Sequence, residues 1–172
     1  MSNFIDYINI ENFKSIKYCE IQNCKRINLF IGRPNVGKSN IIEALSLFTV
    51  PYLKENSSKK LSNLIRLENE SELFYNGNTT KETYIKTNIG ECRLEFDPKD
   101  ALRILIHMND DTYMAKVDAK LSVKSLNTTG FNAPNIKKYS YRQDITYKKS
   151  HAKYLIPPFG FNLLSVIENT VA

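Results

Sequence analysis

The sequence contains no tryptophan, two histidines and three cysteines in 172 residues. These scarcities exclude several classes. A structural zinc site needs four Cys or His ligands at tight spacings. Cys19, Cys24, Cys92, His107 and His151 are scattered, so no such centre is expected. An odd number of separated cysteines gives no disulfide framework either, and reduced thiols in strands or turns are expected. No uninterrupted apolar run reaches the ~20 residues that a membrane span requires. The opening Met1-Ser2-Asn3-Phe4-Ile5-Asp6 lacks the basic and apolar regions of a signal peptide. A cytosolic protein with no membrane partner is the expectation. The length suits one domain with a real core. A net charge of +6 is compatible with nucleic acid or nucleotide phosphates as partners and distinguishes neither.

Tyr7-Ile8-Asn9-Ile10-Glu11 and Ile16-Lys17-Tyr18-Cys19-Glu20-Ile21 alternate apolar and polar, the pattern of half-buried strands. Asn12-Phe13-Lys14-Ser15 would join them as neighbours. Ile27-Asn28-Leu29-Phe30-Ile31 is mostly apolar and runs into Gly32, as a central strand buried on both faces would. Ile41, Ile42, Leu45 and Phe48 recur at helical spacing, predicting a helix from about Gly37 to Val50, stopped by Pro51. A shorter helix is expected over Ser57–Leu67, capped by Ser57 or Ser58, with Leu61, Leu64 and Ile65 as its apolar face.

Beyond this the texture becomes β. Asn76-Gly77-Asn78 signals a turn after Leu73-Phe74-Tyr75. Tyr84–Thr87, Cys92–Phe96, Ile104–His107 and Tyr113–Val117 are strand-like, with Asn109–Thr112 as the turn joining the last two. Residues 118–153 read as polar and irregular, and Asn162–Asn169 as a final helix.

The chemistry is concentrated in Gly32-Arg33-Pro34-Asn35-Val36-Gly37-Lys38-Ser39, which fits the P-loop (Walker A) pattern G-x-x-x-x-G-K-[ST]. The two glycines let the backbone turn so that successive N–H groups form an anion nest. The helix that follows aims its positive end at the same point. Lys38 would reach the β- and γ-phosphates, and the Ser39 hydroxyl would ligate Mg²⁺, which prefers oxygen. An apolar run entering the loop and an amphipathic helix leaving it are the context this motif requires. The nucleotide-binding set is therefore Gly32, Arg33, Pro34, Asn35, Val36, Gly37, Lys38 and Ser39, with Asn40 at the next position.

Two families share this spelling. Translation-factor-related GTPases carry similar loops but also need D-x-x-G and N-K-x-D. No Asp lies three residues before any glycine, and Asn135-Ile136-Lys137-Lys138 fails the second motif. The other family fits better. Ile8-Asn9-Ile10-Glu11-Asn12-Phe13-Lys14-Ser15-Ile16, the loop, and Asn40-Ile41-Ile42-Glu43-Ala44-Leu45 together resemble the N-terminal segment of ABC-type ATPase heads of the SMC/RecF kind, and most of all the AAA-like, OLD-related ATPases of bacterial anti-phage systems. Leu155–Leu163 is similar to a segment of those proteins. The resemblance implies ATP and Mg²⁺ as cofactors and places Lys14 beside the phosphates; a solvated turn lysine is the plainer reading of Lys14. Gln143, the one late glutamine, would be the second Mg²⁺ ligand. The loop departs from many SMC-type loops in having Pro34 third and Asn35 fourth.

The resemblance also defines what is missing. A signature motif, a Walker B strand ending in Asp-Glu and a switch histidine are not found. Leu105–Asp111 is the nearest Walker B candidate, but His107 and Asn109 interrupt it and a hairpin suits it better. The expectation is one unit over residues 1–172: an α/β P-loop lobe with a central strand, a P-loop helix and an added antiparallel sheet. Its second lobe, or a second head in a head-to-tail dimer, would complete the site. Alone it would bind nucleotide without turning it over. Residues 134–154 interleave lysines and Arg142 with Tyr139, Tyr141, Tyr147 and Tyr154, a composition that can hold nucleic acid. A solvated face is the preferred reading there, because no recognised nucleic-acid motif accompanies the charge. The rival functions are a GTPase and a degenerate P-loop domain acting as a DNA- or protein-binding module.

Overall fold

The computed structural model describes residues 5–34, 36–55, 59–127 and 131. Asn35, Gln143, the caps Ser57 and Ser58, the basic segment 134–154 and the C-terminal helix expected at 162–169 therefore lie outside the described residues.

Seven strands form one antiparallel sheet: β1 Ile8–Phe13, β2 Ile16–Ile21, β3 Thr83–Thr87, β4 Gly90–Phe96, β5 Leu102–Met108, β6 Asp111–Val117 and β7 Val123–Asn127. Their order is β2-β1-β3-β4-β5-β6-β7. Alternation decides which face is buried. Ile8 and Ile10 of β1, Ile85 of β3, Cys92 and Leu94 of β4, Ile104 and Ile106 of β5, and Ala115 and Val117 of β6 all point into one core. The opposite face carries Glu11, Lys86, Arg93, Arg103 and Lys116, as half-buried antiparallel strands require. The helical segments of residues 38–77 fill the core face with Leu47, Phe48, Leu53, Leu61, Leu64, Ile65, Leu73 and Phe74, all buried.

The helix α1 spans Lys38–Ser46 and gives way to 3-10 turns over Leu47–Glu55, shorter than the apolar spacing predicts. Hydroxyls explain the early stop. Ser46 Oγ donates to the carbonyl of Glu43 at 2.7 Å, and Thr49 Oγ1 to that of Ser46 at 2.6 Å. Such back-bonding competes with the α ladder, and Pro51 has no N–H to extend it. The helix expected over Ser57–Leu67 is reduced to one 3-10 turn at Leu61–Asn63, although Leu61, Leu64 and Ile65 are buried as expected.

Two further expectations are corrected. Residues 123–127 are not irregular: they form β7, where Val123 and Ser125 face inward and Ser125 Oγ lies 2.7 Å from the Tyr113 hydroxyl. The run Ile27–Ile31 is not a buried central strand. Ile27, Leu29 and Ile31 are 89%, 80% and 83% exposed. β1 is already flanked by β2 and β3, so the antiparallel sheet offers this run no place beside its first strand. Among the described residues no strand pairs with it, and a lone strand leaves its backbone groups without ladder partners.

The Asn109-Asp110 turn joins β5 and β6, with Asn109 at φ 52° and Met108 opposite Asp111. The hairpin reading of this region therefore holds against Walker B, and the turn is narrower than expected because Asp111 and Thr112 belong to β6. Between β3 and β4 the chain reverses tightly. A Cβ at Gly90 would lie 2.6 Å from the His107 carbonyl oxygen on β5. Gly90→Ala should therefore destabilise the chain by roughly 2 kcal/mol, since backbone must move. Denaturant unfolding of the variant measures this, and an unchanged midpoint would show the contact to be soft.

Candidate functional site

The two stretches singled out in the sequence meet in space. The β1–β2 turn, Lys14-Ser15, packs against the start of α1. Gly37 stands at the N-terminus of α1 with φ 87°, a conformation that favours glycine, and a Cβ there would approach Ser15 Oγ to 3.1 Å. Asn40 Nδ2 donates to Ser15 Oγ at 2.7 Å. The backbone N–H groups of Asn40 and Ile41 both reach the carbonyl of Gly37, closing the first turn. No side chain caps α1, so the N–H groups at its start are not consumed by a capping residue.

Lys38 folds back over the loop. Its Nζ donates to the carbonyl of Gly32 at 2.9 Å and to that of Arg33. At Gly32 a Cβ would lie 3.5 Å from Val36 Cγ2 and 3.8 Å from Lys38 Cδ, so the two ends of the loop are close. Arg33, Pro34, Val36 and Ser39 are exposed. The arrangement is a short loop, strapped by its own lysine, that opens to solvent at a helix N-terminus. Uncapped N–H groups at a helix N-terminus are chemically able to hold an anion.

Lys14 is anchored differently from a free turn lysine. Its φ is 51°, its backbone N–H reaches the carbonyl of Leu73 at 3.1 Å, and its side chain is only 15% exposed. Its Nζ donates to Glu43 Oε2 at 2.7 Å and to the carbonyl of Arg66. Arg66 Nε donates to the other oxygen, Glu43 Oε1, at 2.6 Å. Burial pushes the Glu43 carboxyl up, but hydrogen bonds and charge from Lys14 and Arg66 outweigh it and hold the group below the ordinary carboxylate range.

This depression has a stability consequence. A carboxylate lowered on folding contributes stability above its unfolded value, near pH 4.3, and loses it as pH falls through the folded value. Glu43→Gln should therefore lower stability at neutral pH and flatten the loss between about pH 5 and the acid-unfolded state. Unfolding midpoints across that range check it; parallel curves for the two proteins would refute the assignment.

A cavity of about 410 Å³ opens beside Ser39, lined by Glu43, Ser62, Asn63 and Arg66 among others. Ser39 offers an exposed hydroxyl oxygen there. Both Glu43 oxygens already accept from cations, so Glu43 is not a free metal ligand. A single protein oxygen suits Mg²⁺, which keeps waters and takes its other ligands from phosphates. No cluster of three or more His, Cys, Asp or Glu side chains suited to a metal occurs among the described residues. Asn35 and Gln143 lie outside them.

Sequence reasoning did not single out Glu43 or Arg66 as site residues. Glu43 had a signal, since it falls one helical turn after Ser39. Arg66 had none, because its approach to α1 depends on where the 3-10 turns at Leu47–Glu55 and Leu61–Asn63 lead the chain.

The family model described as "AAA ATPase domain" matches residues 4–164. Among curated relatives, an "ATP/GTP phosphatase" of Helicobacter pylori is 30% identical over 96 residues, covering 49% of this chain and 25% of that protein. A "DNA replication and repair protein RecF" of Clostridium kluyveri is 33% identical over 86 residues, 50% of this chain and 20% of the relative. The RecF of Leptospira interrogans is 27% identical over 117 residues, 67% of this chain and 30% of the relative. The chain thus spans between a fifth and a third of the length of these relatives. No solved structure matches it significantly. No helix among the described residues is long and apolar enough to cross a membrane.

Proposed function

Because the chain belongs to the AAA ATPase domain family, we propose that it binds Mg-ATP through a Walker A P-loop at Gly32–Ser39 and forms the first lobe of an SMC/RecF-type ATPase. The observation that supports this most is the junction at Gly37. There a positive-φ glycine delivers the loop into an uncapped helix, and the Lys14-Ser15 turn is docked against it.

In this reading the loop backbone and the start of α1 hold the phosphates. Lys38 exchanges its contacts with the Gly32 and Arg33 carbonyls for the β- and γ-phosphates, and Ser39 and Gln143 hold Mg²⁺. Bound Mg²⁺ would neutralise phosphate charge. Lys14 is fixed by Glu43 of α1. A second lobe, or a second head in a head-to-tail dimer, supplies the water-orienting groups and covers the apolar edge of Ile27, Leu29 and Ile31. The RecF relatives by name serve DNA replication and repair, which favours a DNA-linked role, in repair or phage defence.

No guanine-reading N-K-x-D exists in the sequence, so ATP is the expected nucleotide. The H. pylori relative's name includes GTP, which makes GTP the competitor to test. Displacement of a fluorescent ATP analogue by ATP and by GTP decides it. ATP should displace at lower concentration; a clear GTP preference would move the chain to another nucleotide class.

A further inference from the structure

We propose that Asn76 is a site of spontaneous covalent modification: the backbone nitrogen of Gly77 displaces its side-chain amide, leaving isoaspartate or aspartate at the tip of the turn before β3. The inference is independent of the nucleotide-binding reading.

Three observations place the site. Asn76-Gly77 is the one Asn-Gly pair in the sequence, and a glycine nitrogen is the least shielded because no Cβ stands beside it. Asn76, Gly77 and Asn78 are all exposed, and a Cβ built on Gly77 would meet nothing within 4 Å. The Asn76 side chain has no hydrogen-bond partner among the described residues. Other asparagines are held. Asn12, Asn28 and Asn40 donate through Nδ2, while Asn69 and Asn78 accept through Oδ1. Asn76 also sits in the left-handed region, at φ 52° and ψ 28°, which asparagine and aspartate both tolerate.

The chemistry needs only water. Hydroxide takes the proton from the Gly77 N–H, and the nitrogen attacks Cγ of Asn76. The N–Cγ bond forms, the Cγ–Nδ2 bond breaks, and ammonia leaves with a proton from water. Water then opens the cyclic imide at either carbonyl. Cleavage at Cγ gives aspartate; cleavage at the main-chain carbonyl gives isoaspartate, in which the chain runs through Cγ.

The fold sets how fast this happens. The Gly77 N–H donates to the Phe74 carbonyl at 3.0 Å and the Asn78 N–H to that of Tyr75 at 3.1 Å. Both bonds must open before the attack. They close an exposed turn outside the core cluster, so a local opening suffices and the sheet stays intact. The anchors on either side are firm. Phe74 is 1% exposed and bridges to Phe13, and Thr83 is 0% exposed, its Oγ1 donating to the Asn12 carbonyl at 2.7 Å. The extra main-chain atom of isoaspartate is therefore taken up within the turn.

The test is peptide mapping by mass spectrometry of the full chain after incubation at mildly acidic and mildly alkaline pH, folded and in urea, beside Asn76→Gln. The folded wild type should gain the mass difference between amide and acid in the peptide holding Asn76, faster at the higher pH. The product should separate into two species of equal mass, isoaspartate and aspartate. Asn76→Gln should show no gain in that peptide, because its longer side chain closes a ring far more slowly. The folded chain should react within about tenfold of the unfolded one, since only the turn has to open. The comparison among asparagines within the wild-type chain decides the matter even where Asn76→Gln folds poorly. Another described asparagine reacting faster in the folded chain, or a folded rate at Asn76 more than about tenfold below the unfolded rate, would overturn the proposal.

Discussion

Lys38→Ala should weaken ATP binding ten- to a hundredfold while leaving the fold intact. In the proposed site the ammonium's charge-assisted contact with phosphate oxygens would contribute on the order of 1.5–3 kcal/mol. The sequence suggests a lysine simply solvated in the absence of nucleotide; the structure has it donating to the carbonyls of Gly32 and Arg33. The variant therefore loses two strapping hydrogen bonds in addition to the phosphate contact. The loop it straps is exposed and outside the core cluster, so global unfolding should move little. Displacement titration and thermal unfolding on the same preparations separate the two effects. Equal ATP affinity in both proteins would mean that the loop does not hold phosphate.

The second large effect concerns turnover. The 172-residue chain should show no sustained ATP hydrolysis. In the proposed reading its loop, helix terminus and lysine hold a triphosphate, which is binding. Hydrolysis also needs a positioned water and additional charge stabilisation in the transition state. Among the residues that line the cavity beside Ser39, Glu43 is the one carboxylate. Glu43 is saturated by Lys14 and Arg66. Asp110 and Asp111 sit at the far end of the β5–β6 hairpin, where Asp111 pairs with Met108. A shortfall of about 5 kcal/mol in transition-state stabilisation slows a reaction several thousandfold. A steady-state phosphate-release assay, with Lys38→Ala as control, measures it. Lys38-dependent turnover at an ordinary enzymatic rate would point to a missed carboxylate, and Asp110 and Asp111 would be mutated first.

The strands were legible because period-two alternation survives any choice of neighbours: Ile8, Ile10, Ile104 and Ile106 are buried wherever their strands sit in the sheet. The Gly37 junction was legible because its chemistry is local. What was not legible depends on tertiary context. Ile27–Ile31 has the composition of a buried strand, yet apolar composition states which residues favour burial, not which partner covers them. The 3-10 path after Ser46 was masked by hydrophobic spacing and set by two hydroxyls, Ser46 and Thr49. β7 was missed because Val123-Lys124-Ser125-Leu126-Asn127 puts a serine on the inward face and exposes Leu126, so no apolar alternation marks the strand. In the candidate site, Lys14 was found through resemblance. Its partner Arg66 is 52 residues away, and nothing in either local sequence announces the contact.

The central claim is that Gly32–Ser39 is a working magnesium–nucleotide site. Equilibrium binding of ATP to the wild-type chain, with and without Mg²⁺ and beside Ser39→Ala, tests it most directly. The account predicts saturable one-to-one binding that Mg²⁺ tightens, with the Mg²⁺ effect lost in Ser39→Ala and metal-free affinity kept. Binding that does not saturate, or that responds to Mg²⁺ equally in both proteins, would contradict it.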